Sequence, residues 1–255
     1  MSNIFDALKK NQAAGVPVAA PQAGFPVQPE AGAGAIAPEK GGPDFHLMRE
    51  METLRERIDL ELPRTGKRVI TVVSSVPGEG ASTVALHLAR AFARGPAAKV
   101  LLIDADLVRS NRTLSDAIAH PRSGPGLIEV LSRQIDLSRA ILSTEDPNLH
   151  FLPAGGSPAR PMEVIISESM GQFLQDMGQV YQTVVLDGPP VLQNPEGPAL
   201  GASSEGVVLV VQANRTRREV VQRALTMLES ARCKVLGTVL NRRSYPIPDF
   251  LYRRL

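Results

Sequence analysis

A glycine-rich stretch that ends in two hydroxyl residues has the residue types and spacing of a phosphate-binding loop. Val69 to Thr83 reads VITVVSSVPGEGAST, so an apolar run leads into Gly78 and Gly80 and then into Ser82. Glycines let the backbone curl until several N–H groups point at one anion, and the N-terminus of a following helix adds partial positive charge. The hydroxyl of Ser82 stands where such loops hold a magnesium ion. The stretch therefore predicts binding of a phosphorylated ligand together with Mg²⁺.

Two positions depart from the usual pattern of these loops, G-x-x-x-x-G-K-[ST]. Ala81 occupies the lysine position, and Ser75 occupies the position of the first glycine. A charged hydrogen bond is worth about 1.5–3 kcal/mol, so losing the lysine weakens resting binding about ten- to two-hundred-fold. Stabilising the transferring phosphoryl group is worth more, on the order of 10³–10⁵ in rate for an arginine finger. We expect a loop that holds a nucleotide but transfers phosphate poorly; the alternative for this stretch alone is an ordinary strand-to-helix turn.

Three aspartates follow predicted strands. The segment Lys99–Ile103 leads into Asp104 and Asp106, and the segment Thr183–Leu186 leads into Asp187. Ligands of open parallel sheets bind beyond the carboxyl ends of the strands, where a carboxylate beside a phosphate loop holds magnesium or orients a nucleophile. A single aspartate after a strand is more often a turn or cap residue. Two such strand ends together with a phosphate loop favour a site.

The apolar pattern predicts an α/β protein. Continuous apolar runs predict strands at Val69–Val73, Lys99–Ile103, His150–Leu152, Thr183–Leu186, Val207–Val211 and Val235–Leu240. Helical patterns separate them, and this alternation predicts a mostly parallel sheet that helices cover on both faces.

Helical spacing predicts which side chains the helices bury. After the loop these are Val84, Leu88 and Phe92; a later helix has Ile166, Met170, Phe173 and Met177; another has Val220, Ala224, Leu225 and Leu228. Thr216 to Glu219 fits a capping box at the start of that last helix. Ahead of the loop, a charged helix over Phe45–Leu62 presents Leu47, Met51, Leu54 and Ile58 to the domain and Arg49, Glu52, Arg55 and Glu56 outward. The charged face is either solvated or a subunit contact.

Composition shifts divide the chain into four parts. We predict a short helix over residues 1–10 with Ile4, Phe5 and Leu8 on one side, and a flexible Ala/Pro/Gly linker over residues 11–43. The main domain covers residues 44–243, and a tail covers residues 244–255. The first segment is either a docking peptide or a terminus without a role. The tail is a docking segment, a membrane-surface segment or a segment that packs on its own domain.

Composition excludes several classes of function. A net charge of +2 with no Trp argues against a nucleic-acid partner. The single Cys233 forms no internal disulfide and fits a reducing compartment. The charged N-terminus lacks the apolar centre of a signal peptide, and no stretch reaches the ~20 apolar residues that span a bilayer. His46, His87, His120 and His150 lack zinc-ligand spacing. We expect a cytoplasmic protein, one that works beside the inner face of a membrane if a partner recruits it.

At these motifs the chain resembles the bacterial tyrosine kinases, the cytoplasmic kinase modules of capsule and exopolysaccharide synthesis. The stretches SSVPGEGAST, VLLIDADL and VVLDGPPVL are similar, in order and spacing, to the phosphate loop and the acidic motifs of that family. The likeness continues through GPGLIEVLS, LPAGGSPARPMEVI, TRREVVQRALTML and VLGTVLNRR, so it extends from Phe45 to Arg243.

This resemblance implies a P-loop NTPase fold that uses ATP or ADP with Mg²⁺. It implies that the nucleotide phosphates lie on Pro77, Gly78, Glu79, Gly80, Ala81, Ser82 and Thr83, and the adenine on Asn241 and Arg242. Asp104, Asp106 and Asp187 are the implied catalytic residues, and Ser82, Asp104 and Asp187 the implied metal ligands. The family phosphorylates tyrosines of its own tail and forms rings beneath a membrane-spanning chain-length regulator. That regulator is not fused here, so a separate polypeptide is implied.

Four departures from the family pattern bear on function. Besides Ala81, Val108 replaces an arginine, although Arg109 follows it. The ring-forming pattern Glu-x-x-Arg-x-x-Arg is matched by Arg49, Glu52 and Arg55, which exchanges two charges and puts a homo-oligomeric ring in doubt. The tail lacks a tyrosine cluster, because the chain contains Tyr181, Tyr245 and Tyr252 and no other tyrosine.

Three functions follow as hypotheses. The first is a pseudokinase that regulates polysaccharide synthesis and export and binds ATP or ADP weakly. The second is an active tyrosine kinase in which Arg109, Lys67 or a residue from a neighbouring subunit or activator replaces the lysine. The third is a positioning ATPase of the partitioning kind, whose relatives carry a lysine early in the loop where this chain has Ser74 and Ser75.

Overall fold

The computed structural model describes residues 43–62, 68–95, 98–108, 113–118 and 124–242. The predicted N-terminal helix, the linker up to residue 42, the tail and the side chains of Lys67 and Arg109 lie outside these residues, whereas Pro43, predicted as the end of the linker, begins a helix. Those predictions therefore stay predictions.

One seven-stranded sheet organises the described residues. Its strands are β1 (Val69–Ser74), β2 (Val100–Asp104), β3 (Leu142–Ser143), β4 (Leu149–Leu152), β5 (Thr183–Asp187), β6 (Gly206–Gln212) and β7 (Val235–Asn241). Their order across the sheet is β3-β4-β2-β5-β1-β6-β7, and all pairs are parallel except β3 with β4. The six predicted strands are confirmed within a residue or two at their ends.

Helices connect these strands. They are α1 (Pro43–Glu61), α2 (Ala81–Ala93), α3 (Thr113–Ala117), α4 (Leu127–Leu131), α5 (Leu137–Ala140), α6 (Pro161–Ile165), α7 (Glu168–Val180), α8 (Glu196–Ala202) and α9 (Arg218–Ser230). None of these described helices is both long and apolar enough to cross a lipid bilayer.

Apolar layers cover both faces of the sheet, as the strand pattern predicts. On one face, side chains such as Val72 and Leu102 pack against α2, whose Val84, Leu88 and Phe92 are buried as predicted. On the other face, one layer packs against Met170, Phe173 and Met177 of α7, and a second packs against Ala224 and Leu228 of α9. The predicted α/β class with a mostly parallel sheet is confirmed.

Helix α1 packs on α2 through the predicted apolar face. Met51 and Ile58 are buried, while Leu47 and Leu54 are partly buried against the same core. The buried guanidinium of Arg68 forms an ion pair with Asp59 at the end of α1 and lies 4.7 Å from the centre of the Phe92 ring. The ion pair attaches α1 to the start of β1, and the ring contact attaches the start of β1 to α2.

Two predictions about helices are wrong. Ile166, predicted to be buried, is 65% exposed. The next residue, Ser167, is the N-cap of α7, and its hydroxyl accepts a hydrogen bond from the Met170 N–H. One helix therefore ends and another begins at this point, so Ile166 does not share a face with Met170. Thr216 and Glu219 do not form a capping box at α9. That helix begins at Arg218, and Arg217 is its N-cap residue without a side-chain cap. The hydroxyl of Thr216 hydrogen bonds Glu79 in the glycine loop instead.

Candidate nucleotide-binding site

The predicted site residues meet at the carboxyl edge of the sheet. The glycine loop follows β1, Asp104 closes β2, Asp187 closes β5, and Asn241 closes β7. Strand β5 lies between β1 and β2, so residues far apart in sequence end at neighbouring positions. Parallel topology alone accounts for this meeting, because all these strands point the same way.

Glycine is required at two positions of the loop. Gly78 and Gly80 have φ angles of +84° and +94°, in the left-handed region that side-chain-bearing residues rarely adopt. A Cβ at Gly80 would lie 2.3 Å from Nδ2 of Asn241, whereas a Cβ at Gly78 would meet nothing within 4 Å. Gly80 is the N-cap residue of α2, and its carbonyl accepts the N–H of Val84 at 3.0 Å. The turn therefore delivers the chain directly into the first turn of α2.

Glu79 holds the loop from inside. Its buried carboxylate accepts hydrogen bonds from the Ser75 hydroxyl at 2.6 Å, the Val76 N–H at 2.9 Å and the Gln212 N–H at 3.2 Å. The Thr216 hydroxyl donates a fourth, short bond. Burial alone would raise the pKa of Glu79, but these four hydrogen bonds favour the carboxylate and together lower the pKa. Glu79 is therefore an anion that joins the loop to the end of β6 and the start of α9.

Sequence reasoning assigned Glu79 to the ligand through its backbone and missed this side-chain role. It also missed Ser75 and Thr216 as partners of the loop. The Ser75–Glu79 pair is four residues apart and could have been suspected from the sequence. Thr216 lies 137 residues beyond Glu79, and the local sequence pattern does not predict this contact.

The end of β7 reaches the loop through two side chains. Nδ2 of Asn241 donates to the Glu79 carbonyl at 2.8 Å, and Nη1 of Arg242 donates to the Gly78 carbonyl at 3.0 Å. The Arg242 N–H in turn donates to Oδ1 of Asn241 at 2.8 Å. These contacts place both residues against the glycine loop. Their adenine-binding role stays a prediction.

The acidic residues lie side by side below the helix that follows the loop. Asp104 and Asp187 are register partners on adjacent parallel strands, and both are nearly buried. Two residues earlier in each strand, Leu102 and Val185 belong to the core layer against α2, so both carboxylates lie on the face that α2 covers. Asp106 is half-buried, and its N–H donates to Oδ1 of Asp104 at 3.3 Å.

These residue types fit a magnesium ion bound with a nucleotide. Mg²⁺ prefers oxygen ligands and commonly binds one or two carboxylates together with substrate phosphates and water. Ser82, half-buried in the first turn of α2, carries the hydroxyl that the family resemblance assigns to the metal, and this role stays a prediction. The described residues contain no cluster of three or more His, Cys, Asp or Glu side chains able to hold a metal ion. Phosphate oxygens would therefore supply part of the coordination.

The lysine position is occupied by an apolar group. Ala81 is the first residue of α2 and is 8% exposed, and its side chain joins the core layer with Val84 and Ala85. The loop is thus assembled around Glu79 and Asn241, with no ammonium group at position 81.

Tyr181, at the opposite edge of the sheet from the loop, is enclosed. It follows α7 and is 6% exposed, and its hydroxyl lies 2.9 Å from Nδ1 of His150. Burial raises the pKa of Tyr181 to about 12. Burial and the nearby charge of Lys99 lower the pKa of His150. A side chain this enclosed is a poor phosphate acceptor.

Sequence comparison connects this site to known proteins. Residues 67–237 match the protein family described as AAA domain. Tyrosine-protein kinase YwqD of Bacillus subtilis is 31% identical over 192 residues, which cover 75% of this chain and 79% of that protein. Tyrosine-protein kinase CpsD of Streptococcus agalactiae is 28% identical over 186 residues, which cover 73% of this chain and 80% of that protein.

A solved structure agrees with these matches. The VpsO kinase domain has a TM-score of 0.70 at 28% identity, covering 79% of this chain and 98% of that domain. The parallel sheet, the glycine loop and the strand-end aspartates define a protein of the P-loop NTPase class. Within that class, this chain belongs to the bacterial tyrosine-protein kinase family.

Proposed function

We propose that this protein is a regulatory, catalytically impaired member of its family that acts in capsule or exopolysaccharide synthesis. In this proposal it binds Mg-ATP or Mg-ADP weakly through the glycine loop and transfers phosphate slowly or not at all. It then regulates synthesis by associating with partner proteins, and the bound nucleotide changes the strength of that association. ATP or ADP and Mg²⁺ are the proposed ligands.

The observation that carries this proposal is the contrast between the loop and position 81. Hydrogen bonds from Ser75, Val76, Gln212 and Thr216 hold the Glu79 carboxylate, so the loop keeps its curled form. Backbone N–H groups of such a loop bind phosphate without a lysine. Phosphoryl transfer depends more strongly on a positioned cation, which Ala81 cannot supply.

The acceptor side supports the same conclusion. Of the three tyrosines in the chain, Tyr181 is buried against His150. At most Tyr245 and Tyr252 remain as acceptors in the tail. Two phosphates change the charge of a tail far less than a multiply phosphorylated cluster does.

A phosphotransfer assay tests the proposal. The full chain, Ala81→Lys and Asp104→Ala are incubated with Mg²⁺ and γ-labelled ATP, with a tyrosine-containing copolymer as an external acceptor. We expect the natural chain to transfer label no faster than Asp104→Ala and the lysine variant to transfer faster than both. Transfer by the natural chain clearly above the Asp104→Ala background contradicts the proposal.

The proposed partner is a separate, membrane-spanning chain-length regulator, which would recruit the protein to the inner face of the membrane from the cytoplasm. This proposal rests on membership of the bacterial tyrosine-protein kinase family. Repeating the assay with the cytoplasmic segments of that regulator separates two cases. Transfer that stays at background supports an impaired enzyme, whereas transfer that rises with the regulator identifies a kinase that needs its activator.

A further inference from the structure

We propose that the surface at the start of α9 is a contact face for an anionic lipid bilayer. Three arginines and one leucine carry this proposal, and we call them the arginine face: Arg215, Arg217, Arg218 and Leu240. The inference goes beyond the proposed function, because direct contact with lipid requires neither nucleotide nor the chain-length regulator.

The positive charge of the chain is concentrated in one stretch. Residues 212–228 contain four arginines and one glutamate, so these 17 residues carry a net charge of +3, whereas the whole chain carries +2. Within α9, Glu219 and Arg223 are one helical turn apart and offset each other. The three arginines of the arginine face are therefore the excess charge, and the rest of the chain is nearly neutral.

These three guanidinium groups are available to a ligand. All three arginines are exposed, and none of them forms an ion pair with another of the described residues. Arg215 makes one long hydrogen bond, at 3.5 Å, to Oε1 of Gln212. Most of the N–H donors of these side chains therefore face solvent.

Helix stability does not account for these arginines. Arg217 is the N-cap residue of α9, and Arg218 is its first residue. The N-terminus of a helix has partial positive charge, so cations at this end are unfavourable. We infer that the positive charge here serves binding and not folding.

An exposed leucine lies beside the arginines, where β6 and β7 end. The Ala213 N–H donates to the Asn241 carbonyl at 2.9 Å, so the loop that leads into α9 begins next to the end of β7. Leu240 is the register partner of Val211, which belongs to the layer that packs against α9. Leu240 therefore lies on the side of the sheet that α9 covers, and it is 54% exposed on the outermost strand.

Cations around an exposed apolar side chain fit the interface of an anionic bilayer. Headgroup phosphates attract guanidinium groups, and arginine stems lie along apolar surface while their charged ends stay among the headgroups. Leu240 would enter the boundary of the acyl chains. An acidic protein segment would match the charges, whereas a bilayer interface matches both the charges and the leucine.

Three arginines attract an anionic surface only weakly, because stable membrane anchoring needs a second signal. The arginine face therefore orients a protein that another contact holds at the membrane. In this orientation the edge of the sheet where β6 and β7 end lies toward the lipid.

Vesicle co-sedimentation of the full chain tests the arginine face. One set of vesicles is phosphatidylcholine alone, and the other is phosphatidylcholine and phosphatidylglycerol in equal parts. Soluble polyglutamate is a third probe, which offers negative charge without a bilayer. The test variants are Leu240→Gln and the triple variant Arg215→Gln/Arg217→Gln/Arg218→Gln.

Each test variant has a matched control. The control for the arginines removes the same charge from three exposed arginines elsewhere on the domain, as Arg133→Gln/Arg139→Gln/Arg232→Gln. The control for the leucine is Met227→Gln, because Met227 is a 37% exposed apolar residue near the opposite end of α9.

We expect the natural chain to sediment with the anionic vesicles and not with the neutral ones. Each lost arginine should lower the partition coefficient about five-fold, so the triple variant should lose about a hundred-fold. Leu240→Gln should also lower it about five-fold, as expected for an apolar side chain that becomes partly buried. Both controls should change it less than about two-fold, because charges beyond a Debye length of about 8 Å are screened.

Two further readings separate electrostatic binding from loss of structure. Salt at about 1 M, where the Debye length is about 3 Å, should release the natural chain from the vesicles. The melting temperature of the triple variant should not fall, because arginines at the N-terminus of α9 do not stabilise the helix.

Several results overturn the inference. Equal sedimentation with both kinds of vesicle, or with neither, shows that anionic lipid is not the ligand. A triple variant that binds like the natural chain assigns binding to another part of the protein, and an equal loss in the arginine control assigns it to net charge. Binding to polyglutamate without binding to vesicles assigns the face to an acidic protein segment. These readings use no nucleotide, so failure of the proposed function would appear in the phosphotransfer assay and not here.

Discussion

Replacing Glu79 by glutamine tests the internal support of the loop most sharply. In the natural protein, Ser75 and Val76 donate to one carboxylate oxygen, and Gln212 and Thr216 donate to the other. Glutamine replaces one oxygen by an NH₂ group, which faces a backbone N–H and a hydroxyl. The hydroxyl can rotate, but the partly buried N–H of Val76 or Gln212 is left without an acceptor.

The magnitude follows from these contacts. A buried unsatisfied donor costs about 1–3 kcal/mol, and each hydrogen bond that changes from a charged to a neutral acceptor loses roughly 1 kcal/mol. We expect Glu79→Gln to lower the free energy of unfolding by about 3 kcal/mol, which corresponds to a fall of about 6–12 °C in Tm for a domain of this size. Nucleotide affinity should fall as well, because the loop loses its fixed form.

Urea unfolding of Glu79→Gln beside Glu163→Gln measures this effect. Glu163→Gln is the same substitution at an exposed ion pair with Arg160. We expect it to lower the free energy of unfolding by less than about 0.5 kcal/mol. The difference between the natural protein and Glu79→Gln should also depend on pH. The folded-state pKa of Glu79 is lowered, so its stabilisation is complete above the ordinary value of 4.5 and is lost as pH falls through the lower folded value. A Glu79→Gln protein as stable as Glu163→Gln at pH 7 refutes this account of the loop.

Three further perturbations test separate parts of the structure. Gly80→Ala should weaken nucleotide binding and lower stability by about 1–2 kcal/mol, because the backbone there is left-handed and the new Cβ would collide with Asn241. Gly171→Ala, within α7 and with open space around it, should be neutral or stabilising. Thermal melts compare the two variants. Asp59→Ala should lower the free energy of unfolding in urea by about 3 kcal/mol, because it leaves the buried Arg68 without its ion-pair partner. Glu52→Ala, which breaks the exposed ion pair with Arg94, should lower it by less than about 1 kcal/mol. Equal losses in the two variants would refute the role of Arg68. Tyr181→Phe should remove the phenol with a pKa of about 12 from an ultraviolet titration and lower the free energy of unfolding by about 1 kcal/mol. A phenol with that raised pKa that persists in the variant would contradict the assignment to Tyr181.

Local patterns predict much of the fold and the identity of the site. Apolar runs such as Val69–Val73 mark buried strands, and the glycine loop and the strand-end aspartates are recognisable because their chemistry restricts the residue types. The two-residue strand β3 carries no comparable signal, and Ser167 interrupts the helical pattern that made Ile166 look buried. Elements of this kind depend on caps and neighbours more than on periodicity.

The support of the site could not be predicted because it is long-range. The neighbouring sequence predicts Thr216 as a helix cap, yet its hydroxyl donates a hydrogen bond to Glu79. Arg242 meets Gly78 across 164 residues. Each contact depends on the strand order, which places the ends of β6 and β7 on one side of β1, and this order cannot be read from a single sequence.

A calorimetric titration of Mg-ADP into the natural protein and into Ala81→Lys measures whether the glycine loop binds nucleotide without its lysine. We expect the natural protein to bind and the lysine variant to bind at least about ten-fold more tightly. Heat of binding from the lysine variant alone would contradict it, because the glycine loop would then be a remnant that holds no nucleotide without its lysine.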